Sequence, residues 1–288
     1  MTTEKRKILA ATVATGCALL LAGGKLAVAI MTGSLAVLAA AVDSLMDVAC
    51  SGLNAFFLRV AADPPDAEHA YGHGKAEALS GVVQAVIIAM GGIWLFARGV
   101  WRLVVPEPIA RPEAGVVVSG LALVVSLALV VYLRREARIT RSLALRADAF
   151  HYITDIATNV VAGLALVGYR ALGWPALDPL ASMLIAGYIV FASYEILRAA
   201  GQEVLDRGLP HEAEDEIKNL LAELGPEVRG YRAFRSRRAG GTLFFEFRML
   251  VDRNVSFERS HEIAEAAMHR IKQHHGEDTE VTIDTDPV

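Results

Sequence analysis

The chain has 288 residues, 54% of them hydrophobic and only 21% charged, with a formal net charge of −4. That balance is more apolar than an ordinary soluble domain of this length. It offers no basic footprint, and no helix-turn-helix or zinc-finger spacing appears, so nucleic acid is excluded as a partner. Cys17 and Cys50 lie far apart inside apolar runs, which excludes a disulfide framework and a paired-cysteine metal site.

In chain order, the start "MTTEKRKILAATVATGCALLLAGG" has the basic head and apolar body of a signal peptide. A second apolar run follows Lys25 at once, with no polar mature domain between, so the first run reads as a retained span. Six such runs, at roughly 8–30, 34–58, 78–103, 114–133, 143–168 and 177–197, are long enough to cross a bilayer as helices. Lys5, Arg6 and Lys7, then Arg59 and Lys75, then Arg134, Arg135, Arg138, Arg141 and Arg146 fall on one side, which marks that side as the cytoplasm. Arg98, Arg102 and Arg111 reduce the contrast from the other side. An even number of spans leaves both termini inside.

From about residue 201 the pattern becomes soluble. "HEAEDEIKNLLAEL" has helical spacing with Pro210 as a start signal, and "VRGYRAFRSRR" and "TLFFEFRMLV" read as strands. "SFERSHEIAEAAMHRIKQHH" is a second helix with Ser256 as N-cap, and "EVTIDTDP" is a closing strand. The expected architecture is a polytopic α-helical membrane domain, residues 1–200, followed by an αββαβ cytosolic domain, residues 201–288. The second domain is small for independent stability and is expected to dimerise or lean on the first.

The chemistry concentrates in spans two and five. "VDSLMD" places Asp43 and Asp47 four apart, and "HYITD" places His151 and Asp155 four apart, so each pair shares one helix face. An ionised Asp at a helix centre costs about 3 kcal/mol on insertion scales, so three approach about 9 kcal/mol unless something compensates them. Hydrogen-bonded glue between helices and a metal-free proton relay are competing readings. Two pairs of equal spacing on separate spans favour a metal, because three carboxylates and one imidazole match what tetrahedral Zn²⁺ accepts. Ligation requires a neutral His and ionised Asps, so binding releases protons and protonation expels metal. Ser51 and Asn159 extend the two faces by one turn and are expected to orient Asp47 and Asp155. The loop "ADPPDAEHAYGHGKAEALSG" gathers Asp66, His69 and His73 within eight residues, a weaker metal signal on the cytoplasmic side.

These motifs together resemble the cation diffusion facilitators, and among them the bacterial zinc and iron efflux branch. The resemblance rests on "DSLMD", "YGHGKAE", "HYITD" and "DTDP", each in the expected topological place, and covers nearly the whole chain. It implies a six-span bundle with a ferredoxin-like cytosolic domain, acting in the cell membrane as a homodimer that exchanges Zn²⁺ or a related divalent ion for H⁺. It implies a transport site of Asp43, Asp47, His151 and Asp155, a loop site of Asp66, His69 and His73, and a charge interlock across the dimer between Lys75 and Asp206. The family's HxxxD form is associated with Zn²⁺ and Cd²⁺, and an Asp in place of the His with Mn²⁺ or Fe²⁺; imidazole suits zinc better than an all-oxygen site. His151 leans the choice to zinc, as transported ligand, with Fe²⁺ or Mn²⁺ efflux as the alternative.

The cytosolic domain departs from the family pattern, since Arg232, Arg248 and Asp284 stand where histidines are expected and only His261 and Asp286 remain as candidate ligands. Arginine cannot ligate a metal and its charge opposes one, so dimerisation with little or no metal is expected. His274 and His275 close the last helix, where a C-terminus favours cations, and read as a basic cap. His211 and His269 read as solvent-facing. An intramembrane zinc enzyme is the competing class, but no HExxH motif accompanies the ligands. A metal-sensing receptor would call for a metal-rich soluble domain, and the two arginines count against it.

Overall fold

In the computed structural model the described residues are 2–32, 35–105, 116–172, 176–276 and 278–288, and within the helices the side chains of 32, 35–40, 42–43, 116–119, 121–122, 158–159, 161–172 and 177–178 lie outside the description. The chain divides into two compact units, Met1–Gly201 and Gln202–Val288.

The first unit is built on six long helices: α1 (Thr3–Thr32), α2 (Leu35–Ala61), α3 (Lys75–Val104), α4 (Val116–Thr140), α5 (Leu143–Leu172) and α6 (Leu177–Val204). The stretches Thr3–Met31, Ser44–Ala61, Lys75–Val104 and Pro179–Val204 are long and apolar enough to cross a membrane. Helices 25–30 residues long rise about 1.5 Å per residue and exceed a hydrocarbon core of about 30 Å. Apolar side chains gain little from facing one another rather than lipid, so close backbone approach decides which helices pair. Ala10, Ala11 and Ala14 of α1 accordingly pack with Ala55 and Leu58 of α2, Leu129 and Leu133 of α4, and Ala144, Leu145 and Ala149 of α5. At Gly92 of α3 a Cβ would stand 2.9 Å from Val190 Cγ2 and 3.0 Å from Ile189 Cγ2 of α6, so glycine is what lets those two helices touch.

Charged residues fasten the end of the unit where α1 begins. Lys7, fully buried, donates to Glu77 of α3 at 2.7 Å and to Glu4 at 2.8 Å. Arg6 grips Glu136 of α4 through Nε at 2.9 Å and Nη2 at 3.0 Å, a two-point contact that fixes orientation as well as distance. The Glu of "GHGKAE" therefore has a structural partner.

The second unit runs α7 (His211–Ala222), β1 (Val228–Ala239), β2 (Thr242–Val251), α8 (Phe257–His275) and β3 (Thr279–Pro287). The sheet order is β1-β2-β3, with β1 antiparallel and β3 parallel to β2. The parallel pair follows from the crossover helix α8, since parallel neighbours cannot be joined by a hairpin. Alternation in β2 sends Phe245, Phe247, Met249 and Val251 to a core shared with Ile217 and Leu221 of α7 and Ile263, Ala264, Ala267 and Ile271 of α8. Ser256 caps α8 by accepting from the Arg259 amide at 3.2 Å, as its position before the apolar-periodic run requires. The element order matches the αββαβ expectation.

Candidate metal centres

The first cluster forms where α2 and α5 meet. His151 Nε2 lies 3.2 Å from Asp47 Oδ1 and 3.8 Å from Asp155 Oδ2, and one ligand atom from each of the three fits within 4.8 Å of the others. The His151 side chain is 14% exposed, against 25% for Asp47 and 40% for Asp155, so the nitrogen is the inner member and the carboxylates are reached from one side. Thr154 Oγ donates to the His151 carbonyl at 2.7 Å, a side-chain bond to the backbone of its own helix. Asp43 belongs to α2 one turn before Asp47 and Asn159 to α5 one turn after Asp155, but both side chains lie outside the described residues.

Ser51, expected to steady Asp47, faces elsewhere. Its hydroxyl donates to Asp148 Oδ1 at 3.1 Å and shares a 2.9 Å hydrogen bond with the Tyr152 hydroxyl. Asp148, Tyr152 and Ser51 are all buried, so this triad ties α2 to α5 directly beneath the ligand layer. Ser80 of α3 extends the polar layer by donating to Asn54 at 3.0 Å. Asp148 was not singled out from the sequence. The signal was available: positions 148, 151, 152 and 155 lie on one α5 face at i, i+3, i+4 and i+7.

The loop between α2 and α3 holds the second cluster. His73 Nε2 is 3.4 Å from Asp66 Oδ2, His69 Nδ1 is 3.5 Å from Asp66 Oδ1, and the two rings are 4.5 Å apart. Local chain chemistry builds it: Asp66 Oδ1 accepts from the amides of His69 at 2.6 Å and Glu68 at 2.9 Å, an Asx-type turn. Gly72, at φ +76°, closes the loop through its amide to the His69 carbonyl at 2.9 Å, a backbone conformation that L side chains rarely adopt. The His69 amide hydrogen bond, with that of Glu68 and the two imidazoles adding, holds the Asp66 carboxyl below its ordinary value against the opposing desolvation.

The cytosolic sheet brings its arginines and aspartates into one row. Arg232 of β1 pairs across to Arg248 of β2, and Arg248 to Asp284 of β3. Arg232 Nε donates to Asp286 at 2.9 Å, Arg248 lies 3.6 Å from Asp284, and Arg248 Nη1 lies 4.0 Å from Asp286. His261 instead faces Glu265 at 3.4 Å on its own helix, with both side chains 64% exposed. His261 and Asp286 thus form no metal group of three among the described residues. Lys75 opens α3, and Asp206, at φ +57° after α6, accepts from Arg237 at 3.1 Å.

His274 and His275 lie in the last turn of α8, as a basic cap requires, and have a further neighbour. They meet Glu216 of α7 in a third group of potential ligands. Burial, with His274 adding, pushes the His275 imidazole below its ordinary value, and Glu216 opposes the shift. Sequence offered no local signal, because Glu216 arrives from a different helix.

An apolar helical unit with a His–Asp cluster across two of its helices, joined to a small α/β unit, defines a membrane protein that handles divalent cations. The sequence matches the cation efflux transmembrane domain over residues 11–205 and the cytoplasmic domain of cation efflux proteins over residues 209–288, and the chain belongs to this cation efflux family, the cation diffusion facilitators. It is 37% identical over 280 residues to a cation-efflux pump FieF of Shewanella oneidensis, covering 97% of this chain and 94% of that protein. It is 38% identical over 234 residues to a cation-efflux pump FieF of Klebsiella pneumoniae, covering 81% and 77%. Among solved structures, a zinc form of the putative zinc transporter CzrB is 26% identical over 28% of this chain and 92% of that one, with a TM-score of 0.27. The protein is a divalent cation efflux transporter in a membrane, and not an enzyme.

Proposed function

We propose that the chain moves Zn²⁺, with Cd²⁺ as a close surrogate, out of the cytoplasm in exchange for H⁺ through a site of Asp43, Asp47, His151 and Asp155. The observation that carries this reading is His151 Nε2 at 3.2 Å from Asp47 and 3.8 Å from Asp155. That nitrogen holds either a proton shared with the two carboxylates or a metal ion, never both, so cation and proton compete for one place. Alternating exposure of the site to the two sides converts this competition into antiport. One imidazole among three carboxylates favours zinc over the harder ions. The second reading is Fe²⁺ or Mn²⁺ efflux by the same machinery, which three oxygen ligands would support if the imidazole were not engaged.

Asp66, His69 and His73 would collect the ion at the cytoplasmic entrance. The protein acts as a homodimer in the inner membrane with both termini in the cytoplasm, Lys75 of one protomer engaging Asp206 of the other. The domain of residues 201–288 associates with ion pairs in the Arg232, Arg248, Asp284 and Asp286 row, in place of metal.

The test is flux into proteoliposomes with an imposed pH gradient, comparing Zn²⁺ and Mn²⁺ for wild type and His151→Asp. Wild type should move Zn²⁺ at a rate that follows the gradient, and the variant should favour Mn²⁺. Wild-type flux of Mn²⁺ without Zn²⁺, or Zn²⁺ flux indifferent to the gradient, would overturn the assignment.

A further inference from the structure

We infer that Glu216, His274 and His275 form a separate Zn²⁺-class metal site on the cytoplasmic domain, joining α7 to the end of α8. The two imidazoles converge on one atom: His274 Nε2 is 3.6 Å and His275 Nε2 3.7 Å from the same Glu216 Oε2. Both separations are too long for hydrogen bonds. Donor atoms bound about 2.0–2.1 Å from a tetrahedral zinc lie about 3.3–3.4 Å from one another, so each imidazole stands a few tenths of an ångström wide of a metal-bound distance from Glu216, and all three ligand atoms fall within 4.8 Å of one another.

A chance meeting of surface groups would leave each side chain solvated, and here one is not. The His275 side chain is 11% exposed, and its Nε2 is shielded from solvent with no hydrogen-bond partner among the described residues. A buried polar nitrogen left unmatched is destabilising, and ligation would remove that cost. The ring is held in place against Phe245, with centroids 5.1 Å apart, and by an edge-to-face contact with His274 at 4.9 Å. The position therefore comes from core packing and does not depend on an ion to create it.

The surroundings suit a cation. The ligands sit at the C-terminus of α8, where the last carbonyls give a negative field, and Glu216 supplies a full negative charge. Lys272 in the same turn offsets part of this field. Two imidazoles and one carboxylate are a zinc donor set that leaves one position for water, and Glu216 and His274, each about half exposed, leave a route for the ion to enter. Occupancy would staple α7 to the helix that crosses between β2 and β3, stabilising the domain by an amount that rises with the logarithm of free zinc once it exceeds the dissociation constant. The site does not depend on which ion the membrane cluster carries.

The experiment uses the full chain in detergent micelles, equilibrated by dialysis against a chelator-buffered Zn²⁺ solution, with bound metal counted per chain. Glu216→Gln and His274→Ala are the test variants, since both side chains are half exposed and neither fills the core. Each should hold one zinc fewer per chain than wild type, and Zn²⁺ should protect the α7 and α8 amides from hydrogen exchange in wild type alone. Equal zinc content in wild type and both variants, or equal amide protection, would overturn the proposal. Membrane flux should be unchanged in both variants, which separates this outcome from any failure of the transport reading.

Discussion

The α2–α5 cluster and the cytoplasmic sheet both set acidic groups against basic ones from neighbouring elements, yet they settle the charge in opposite ways. On the sheet, Arg232 and Arg248 are interleaved with Asp284 and Asp286, so the chain supplies its own cations. Between α2 and α5, Asp47 and Asp155 face an imidazole, a group that can give its proton up. Fixed guanidinium cannot be exchanged, because it stays protonated at any pH a cell reaches. A fixed counter-charge makes a structural contact, and a replaceable one makes a site through which something can move.

The sharpest way to break that contrast is to remove the fixed cations. Arg232→His with Arg248→His should give the sheet edge a Zn²⁺ site that wild type lacks there, read as one additional zinc per chain by equilibrium dialysis of the full protein. No gain would mean that the row is closed to metal for reasons other than charge.

A smaller effect is expected beneath the ligand layer. Ser51→Ala leaves Asp148 and Tyr152, both buried, short of a partner, which should cost about 1–3 kcal/mol of stability. The measurement is thermal unfolding of the protein in micelles, with Thr12→Ala, an exposed helix hydroxyl bonded only to its own backbone, as the matched comparison. Equal melting of the two variants would remove the triad from the scaffold.

The smallest effect concerns the loop. The Asp66 carboxyl is held below its ordinary value chiefly by the His69 amide, so its ionised form is favoured by the folded turn. The turn's contribution is complete above the ordinary Asp range and is lost as pH falls through the lowered value. Exchange of the His69 amide should therefore stay protected on acidification until below the usual Asp titration, and Asp66→Asn should remove that dependence. Protection that falls in the ordinary Asp range would contradict the turn's role.

The legible parts of this molecule were those with a period. Helices of apolar residues, the alternation of "TLFFEFRMLV" and the i,i+4 pairs in "VDSLMD" and "HYITD" each repeat at the spacing their local structure imposes, so Asp47, His151 and Asp155 could be paired before their helices were placed. What stayed hidden depended on contacts between elements. Ser51 extends the Asp47 face in sequence, but the approach of α5 turns its hydroxyl to Asp148 and Tyr152. His274 and His275 resemble a helix cap until α7 brings Glu216 beside them. The arginines at 232 and 248 were visible as departures from the family pattern, whereas their intrachain pairing with Asp284 and Asp286 required the register of three strands.

In the proposed function the α2–α5 cluster carries the ion and the loop cluster only supplies it. Zinc flux into proteoliposomes separates the two when Asp47→Ala is compared with Asp66→Ala at equal reconstituted protein. Removing a direct ligand should weaken metal binding by more than the roughly 10–100-fold typical of groups that only orient one, so Asp47→Ala should bring flux to the level of empty vesicles. Asp66→Ala should retain measurable flux that recovers at higher external Zn²⁺. Persistent flux in Asp47→Ala, or its complete loss in Asp66→Ala at every zinc concentration, would contradict the account.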